Sequence, residues 1–98
     1  MAEALYENIT QKSVVVTTAS QQLSPAGARL ELIITNTSTA GQNLTLRFGG
    51  PAVAGAGIFL VPYSTYYVDA SSGFTPTQQE IYVISSAAAG SVSLFERR

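Results

Sequence analysis

The side chains that could carry out chemistry in this sequence are carboxylates, hydroxyls and tyrosines, and their spacing forms no catalytic pattern. Paired carboxylates hydrolyse glycosides when they flank a sugar, but the spacing pairs none of these: Glu3, Glu7, Glu31, Asp69, Glu80 and Glu96. No Asp-x-Asp-x-Asp-Gly run indicates a calcium loop. The serines have no base to activate them, since the chain has no histidine and no cysteine. We therefore expect no enzyme, no catalytic residue, no metal site and no cofactor.

The tyrosines are the most informative polar side chains. Tyr63, Tyr66 and Tyr67 lie close together in the sequence, and tyrosine is enriched at protein interfaces because one end of it is apolar and the other polar. Neighbouring residues of a strand point to opposite faces, so only one of Tyr66 and Tyr67 can belong to a core. The cluster predicts either one core and one surface tyrosine, or a contact patch for a partner protein or a glycan.

The glycine-rich segment 49–57 does not predict phosphate binding. A phosphate loop needs a helix after it, and its P-loop form also needs a Lys followed by Ser or Thr. Here a β-type run follows the glycines and the segment has no lysine. Residues 50–57 are predicted to be a plain loop.

The composition excludes further classes of function. Charged residues make up 11% of the 98 residues and the net charge is −1, so we expect no nucleic-acid binding, which is built from clustered Lys and Arg. We expect no signal peptide and no membrane span, because no apolar run reaches about 20 residues. This low content of charged residues is typical either of a neutral β-domain or of a protein whose surface lies largely against another protein. With no disulfide available, oligomerisation is one way to stabilise so small a domain.

The pattern of apolar residues and turns predicts an all-β fold. About seven short strands recur roughly every ten residues with turn signals between them, which is typical of a single antiparallel β-sandwich or a jelly-roll-like barrel. We assign residues 13–98 to this domain and residues 1–12 to an N-terminal arm. The arm is either a loose terminus or first edge strand, or a segment that adds to the sheet of a neighbouring subunit. The predicted strands are 13–20, 29–36, 43–49, 58–61, 65–69, 80–85 and 91–96, with 21–28 as a turn.

Alternation within the strands assigns side chains to faces. In the strand 29–36, Leu30, Leu32 and Ile34 are predicted on one face, with Arg29, Glu31 and Thr35 on the other. In the strand 43–49, Leu44, Leu46 and Phe48 are predicted inward, with Asn43, Thr45 and Arg47 outward.

Four stretches carry a family resemblance: RLELIITNTS (29–38), NLTLRFGG (43–50), GAGIFLVPYS (55–64) and EIYVISSAAAGSVSLFE (80–96). In this order and spacing they resemble a group of small β-sandwich proteins encoded by tailed bacteriophages. The likeness covers about residues 29–96. One departure is clear, because the family usually has Gly after its Leu-x-Pro, where this chain has Tyr63.

The resemblance implies a structural component of the virion. It predicts a capsid decoration (cement) protein on the capsid exterior, made in the host cytoplasm, that binds the major capsid protein, stabilises the shell and forms a trimer or dimer. The alternative is a fibre, tail or vertex module that binds a host-surface glycan or receptor. The contact residues we predict are Tyr6 and Ile9 in the arm, and Tyr63, Tyr66, Tyr67 and Phe74 in the long loop region.

Overall fold

The computed structural model describes residues 8–98 and confirms the all-β fold. This part of the chain forms eight strands in succession, and a short 3-10 turn, Ala70–Ser72, lies between the sixth and the seventh. No helix within residues 8–98 is long and apolar enough to cross a membrane. The strands are β1 Ile9–Val16, β2 Gln21–Ser24, β3 Glu31–Asn36, β4 Leu44–Phe48, β5 Ile58–Leu60, β6 Thr65–Asp69, β7 Ile81–Ser85 and β8 Gly90–Arg97.

The strands form two separate four-stranded sheets, so the fold is a sandwich. The first sheet has the order β1-β8-β3-β6 and the second has the order β2-β7-β4-β5. All the strand pairs are antiparallel. Each sheet mixes strands from the beginning and the end of the chain, which gives many contacts between residues far apart in the sequence.

The core lies between the inner faces of the two sheets and is built by alternation. In β3, β7 and β8, every second residue is buried and the intervening ones are partly exposed. The predicted inward residues of β4 pack as expected, with Leu44 and Leu46 fully buried and Phe48 against the cluster. The cluster consists of Val16, Leu23, Leu32, Ile34, Leu44, Leu46, Leu60, Ile81, Val83, Val92 and Leu94.

Two strand predictions were wrong in their detail. The segment 21–28 was predicted as a turn, but its first half is the strand β2, which pairs with β7 through a bulge between Gln22 and Ser24. Two glutamines and a bulge remove the alternation that would have shown it. The first strand begins at Ile9 rather than Ser13, because Ile9–Lys12 also pair with β8. The division into an arm and a domain stays a prediction, since residues 1–7 lie outside the described part.

Two side-chain assignments also differ from the alternation. Arg29 and Leu30 precede β3, and their burial is the reverse of the prediction: Arg29 is buried and Leu30 is 44% exposed. Thr45 faces outward as predicted, yet it is buried. The loop 49–57 folds over it, and the backbone N–H of Gly55 donates to Thr45 Oγ1 at 3.0 Å.

Candidate interaction surfaces

Within residues 8–98, nearly all the charged side chains lie at one end of the sandwich. With the exception of Lys12, every charged residue in the described part of the chain lies at or near the ends of strands that meet at the same end. We call this the charged end: Arg29, Glu31, Arg47, Asp69, Glu80, Glu96, Arg97 and Arg98. The opposite end, which we call the uncharged end, consists of the connections 17–20, 37–43, 61–64 and 86–89 and carries no charge.

A buried ion pair organises the charged end. The Arg29 Nε donates to Glu96 Oε2, and the two side chains are 0% and 3% exposed. Ser24 Oγ donates to the same carboxylate oxygen at 2.7 Å, and Arg98 Nε lies 3.2 Å from Glu96 Oε1. The Nη1 and Nη2 groups of Arg29 donate to the carbonyls of the two neighbouring loops, at Pro25, Thr77 and Gln79, and Nη2 also donates to Ser24 Oγ at 3.1 Å. This cluster joins two loops to the end of β8, so its role is to hold the fold.

The pKa of Glu96 lies below its usual value. Burial is the largest influence and by itself favours the neutral acid, but the hydrogen bonds from Arg29, Ser24 and Arg98, together with the charge of Arg29, outweigh it. A carboxyl held in its ionised form is unsuited to donate a proton as a general acid. The buried carboxylate is therefore structural.

The structure pairs two carboxylates that the spacing in the sequence did not. Glu31 and Asp69 are direct cross-strand partners on β3 and β6, and Arg97 is the partner of Glu31 on the other side. Arg97 Nε lies 3.3 Å from Glu31 Oε1. Hydrogen bonds from the backbone and hydroxyl of Ser71, then from Tyr67, lower the pKa of Asp69. A glycosidase needs one carboxyl with a raised pKa, so Asp69 is unsuited to be that acid.

An apolar row crosses the outer face of the first sheet. Phe95, Ile33 and Tyr67 are direct neighbours across β8, β3 and β6, and Tyr67 is 54% exposed. Its phenol donates to Asp69 Oδ2 at 3.0 Å, and this bond is the first cause of its raised pKa. Phe95 and Ile33 were not among the predicted contact residues, although both alternate with buried residues in their strands.

Tyr63 is held in a strained turn at the uncharged end. Its φ is 67°, and the Ser64 N–H donates to Val61 O at 3.0 Å across the turn Val61-Pro62-Tyr63-Ser64. Proline at the second position and a positive φ at the third define a type II turn, in which glycine is the usual third residue. This explains why the phage proteins have glycine here. The Tyr63 side chain is 69% exposed, while its backbone N–H donates to Asn36 O at 2.6 Å. Backbone bonds to the end of β3 therefore hold the turn, and the side chain itself is left free of the core.

The other predicted contact residues fall on different surfaces. Tyr66 faces inward and packs on Phe48, with ring centroids 5.9 Å apart, which leaves Tyr67 as the surface member of that pair. Phe74 is 71% exposed in the β6–β7 connection at the charged end. Ile9 is exposed at the start of β1, and Tyr6 lies outside the described residues. Tyr63, Tyr67 and Phe74 therefore do not form one patch.

A shallow groove of about 480 Å³ lies between β1 and β8. Its lining has no carboxylate: Gln11, Lys12, Ser13, Ser93, Leu94 and Phe95. Within residues 8–98, no three acidic side chains come together as a metal site would require. The described surfaces offer apolar and hydrogen-bonding contacts, which suit binding to another macromolecule.

These features define a small, two-sheet antiparallel β-sandwich. A search of solved structures finds a similar fold in a Bacillus endospore appendage protein, from a family of disulfide-linked pili. The match has a TM-score of 0.50 and 14% sequence identity, and it covers 93% of this chain and 84% of that chain. No protein-family model matches the chain, and no curated protein matches it in sequence. The likeness shows the fold.

Proposed function

We propose that the chain is a capsid decoration (cement) protein of a tailed bacteriophage, which binds the major capsid protein on the outside of the virion. Three features support this. The order of the motifs in residues 29–96 resembles that of small phage virion proteins. The titratable side chains of the described part are engaged in structural contacts or isolated. The same type of sandwich also occurs in a surface appendage protein, which is itself a structural component.

The observation that carries the proposal is the uncharged end with its exposed, strained Tyr63. Burying a charged group at an interface costs several kcal/mol unless it is paired, whereas this end can be covered without any such cost. A non-glycine residue in the left-handed region costs roughly 1–2 kcal/mol, and strain of this kind is concentrated at binding and active sites, held there by the surrounding structure. We assign Tyr63 as the anchor that enters the capsid surface, with Val61 beside it.

Stabilisation of the shell follows from binding alone. A ligand that binds assembled subunits but not separated ones raises the free energy of separating them. Many copies bound on a lattice add up their modest individual contacts. An N-terminal arm that reaches a neighbouring subunit would also raise the effective concentration of each bound copy. Tyr6 and Ile9 are the predicted contacts of that arm. The chain has no cysteine, so it cannot attach through a disulfide of its own, unlike the disulfide-linked appendage pili.

The number of copies per particle tests this function. Virions of the phage that encodes the chain would be purified and their proteins quantified by mass spectrometry against the major capsid protein. Hundreds of copies per particle are expected for a decoration protein. A few dozen copies or fewer would instead assign the chain to a vertex, fibre or tail, where Tyr67 becomes a candidate receptor contact. Absence from the particle would refute a virion role.

A matched pair of variants tests which end binds. Tyr63→Ala and Phe74→Ala each remove one exposed aromatic side chain, the first at the uncharged end and the second at the charged end. Each variant would be added to capsids that lack the protein, and the bound fraction measured by co-sedimentation. We expect Tyr63→Ala to lose most of the binding and Phe74→Ala to bind normally. The reverse pattern would place the charged end against the capsid.

A further inference from the structure

The strand β1 leaves one of its two sides without a neighbouring strand in the described part of the chain. On its other side it pairs with β8, and the Arg98 N–H donates to Asn8 O at 2.9 Å. Residues of an antiparallel strand alternate between bonding to the partner and facing away from it. Asn8 and the even-numbered residues after it therefore bond to β8, while Ile9, Gln11 and Ser13 direct their N–H and C=O groups to the free side.

A side chain marks where this free edge stops. Gln21 Nε2 donates to Val15 O at 3.1 Å, and the Thr17 N–H donates to Gln21 Oε1 at 3.4 Å. The amide of Gln21 thus occupies the edge at Val15 and Thr17 in the way a neighbouring strand would. It also confirms the alternation, because Val15 is an odd-numbered residue whose carbonyl faces away from β8. The open part of the edge runs from Ile9 to Ser13.

The other three edge strands are shorter or obstructed. The strand β2 has four residues and a bulge. The strand β5 has three residues, and its Leu60 carbonyl accepts a hydrogen bond from Asn36 Nδ2 at 2.8 Å. The strand β6 has five residues and ends in the charged Asp69. Bulges, short length and charge are the usual protections of edge strands, and β1, with eight residues in unbroken register, has only Lys12.

We propose that β1 pairs antiparallel with β1 of a second copy of this chain, about a twofold axis at Gln11. In this register Gln11 faces Gln11 of the second copy, and Ile9 faces Ser13. Each of these is a hydrogen-bonded pair that exchanges two bonds, which gives about six inter-chain bonds. The two first sheets then join into one continuous sheet across the dimer.

Charge and the Gln21 cap select this register over the two registers centred farther along β1. A register shifted to centre on Lys12 would set two lysines directly opposite each other, which is unfavourable. A register centred on Ser13 would pair Gln11 with Val15, whose carbonyl is already occupied by Gln21. The register centred on Gln11 places Lys12 opposite Thr10, and its inter-chain hydrogen bonds involve only residues of the open edge, Ile9 to Ser13. A second copy is favoured as the occupant because the edge is complementary to itself under this twofold axis.

Disulfide cross-linking tests the pairing and its register on the isolated chain, independently of the proposed function. The chain has no cysteine, so Gln11→Cys and Ser13→Cys each introduce a single thiol. Opposite residues of a hydrogen-bonded pair have Cα atoms about 5.5 Å apart, within the range of about 4.4–6.8 Å that a disulfide spans. The two Ser13 Cα atoms would lie roughly 14 Å apart, because four residues at about 3.4 Å each separate them along the ladder.

We expect Gln11→Cys to oxidise to a covalent dimer at least about tenfold faster than Ser13→Cys, measured by non-reducing gel electrophoresis. Faster cross-linking of Ser13→Cys would overturn the register. Equal, slow oxidation of both would overturn the pairing. A single thiol per chain cannot link more than two chains, so larger assemblies need a separate test by amine cross-linking of the wild-type chain. A ladder of trimers and higher multimers there would indicate head-to-tail association and would also overturn the proposed pairing.

Proline variants test the same edge without cross-linking. Gln11→Pro removes an N–H that faces the free side, and proline is tolerated at such positions of edge strands. Thr10→Pro is the matched control, because its N–H bonds to β8. We expect Gln11→Pro to keep the far-UV circular dichroism spectrum and to sediment as a monomer at concentrations where the wild type dimerises. Thr10→Pro should lower the thermal midpoint. A wild type that stays monomeric up to about millimolar concentration, or a Gln11→Pro that still dimerises, would overturn the proposal.

Discussion

Replacing Arg29 by methionine removes one partner of the buried ion pair and leaves the Glu96 carboxylate in the interior. Removal of one member of a buried pair costs about 3–5 kcal/mol. Arg98 Nε remains 3.2 Å from Glu96 Oε1, which supports the lower end of that range. The carbonyls of Thr77 and Gln79 also lose their donor. We therefore expect a loss of about 3 kcal/mol, a large share of the ~5–15 kcal/mol typical of a domain.

Urea denaturation measures this loss. The chain has no tryptophan, so unfolding would be followed by far-UV circular dichroism. With a urea slope of about 1–1.5 kcal/mol/M for a small domain, a loss of about 3 kcal/mol lowers the midpoint by roughly 2–3 M. Arg97→Met is the matched control, because its pair with Glu31 is 27% and 19% exposed and such pairs contribute about 0–1 kcal/mol.

A double variant distinguishes the effect of an unpaired buried charge from the effect of lost side-chain packing. Glu96→Gln in the wild type is expected to destabilise the fold, since it removes the charge that the buried Arg29 requires. The same change made on top of Arg29→Met should be neutral or stabilising, because no buried charge is left unpaired. If Arg29→Met lost less than about 1 kcal/mol, the size of a surface pair, the cluster would not hold the charged end as argued.

Three further outcomes are expected. Acid should destabilise the fold, because the pKa of Glu96 is lowered from 4.5 in the folded state. The ionised Glu96 stabilises the fold fully above pH 4.5, and this stabilisation is lost as the pH falls through the folded-state pKa. In a plot of urea midpoint against pH, Glu96→Gln should therefore flatten the acidic part of the curve. Tyr63→Gly should stabilise the isolated chain by about 1 kcal/mol in urea titrations, because glycine adopts a positive φ without strain; an equal gain with Tyr63→Ala would show that strain is not the cause. Asn36→Ala should cost about 2–3 kcal/mol in the same titrations, because it leaves the buried carbonyls of Gln42 and Leu60 without their donor, whereas Thr39→Ala, at an exposed position of the same loop, should be neutral.

The position of Asn36 shows why buried polar residues are hard to predict. In the sequence it is the last residue of a strand and the start of a polar loop, which suggests exposure. In the structure it is fully buried, and it joins the first sheet to the second by donating to Leu60 O at 2.8 Å. A side-chain amide can replace a backbone partner in the interior. The burial of Asn36 can be recognised only once the two sheets are placed together.

The sequence by itself determined the fold class, the position of most strands and the absence of reactive groups. Alternation of period two and the turn residues are local properties, so β3, β4, β6 and β7 were predicted to within two residues. Alternation also predicted that one of Tyr66 and Tyr67 would be buried. It failed at β2, where a bulge interrupts the period.

Only the tertiary structure decided which surfaces the molecule presents. Cross-strand rows such as Phe95, Ile33 and Tyr67 depend on register between strands far apart in the chain, which local patterns do not specify. The burial of Arg29 depends on Glu96, distant in the sequence, at the end of β8. The collection of charge at one end follows from the antiparallel order, which brings the starts of some strands beside the ends of others. The open edge of β1 likewise exists only because β1 is the outermost strand of its sheet.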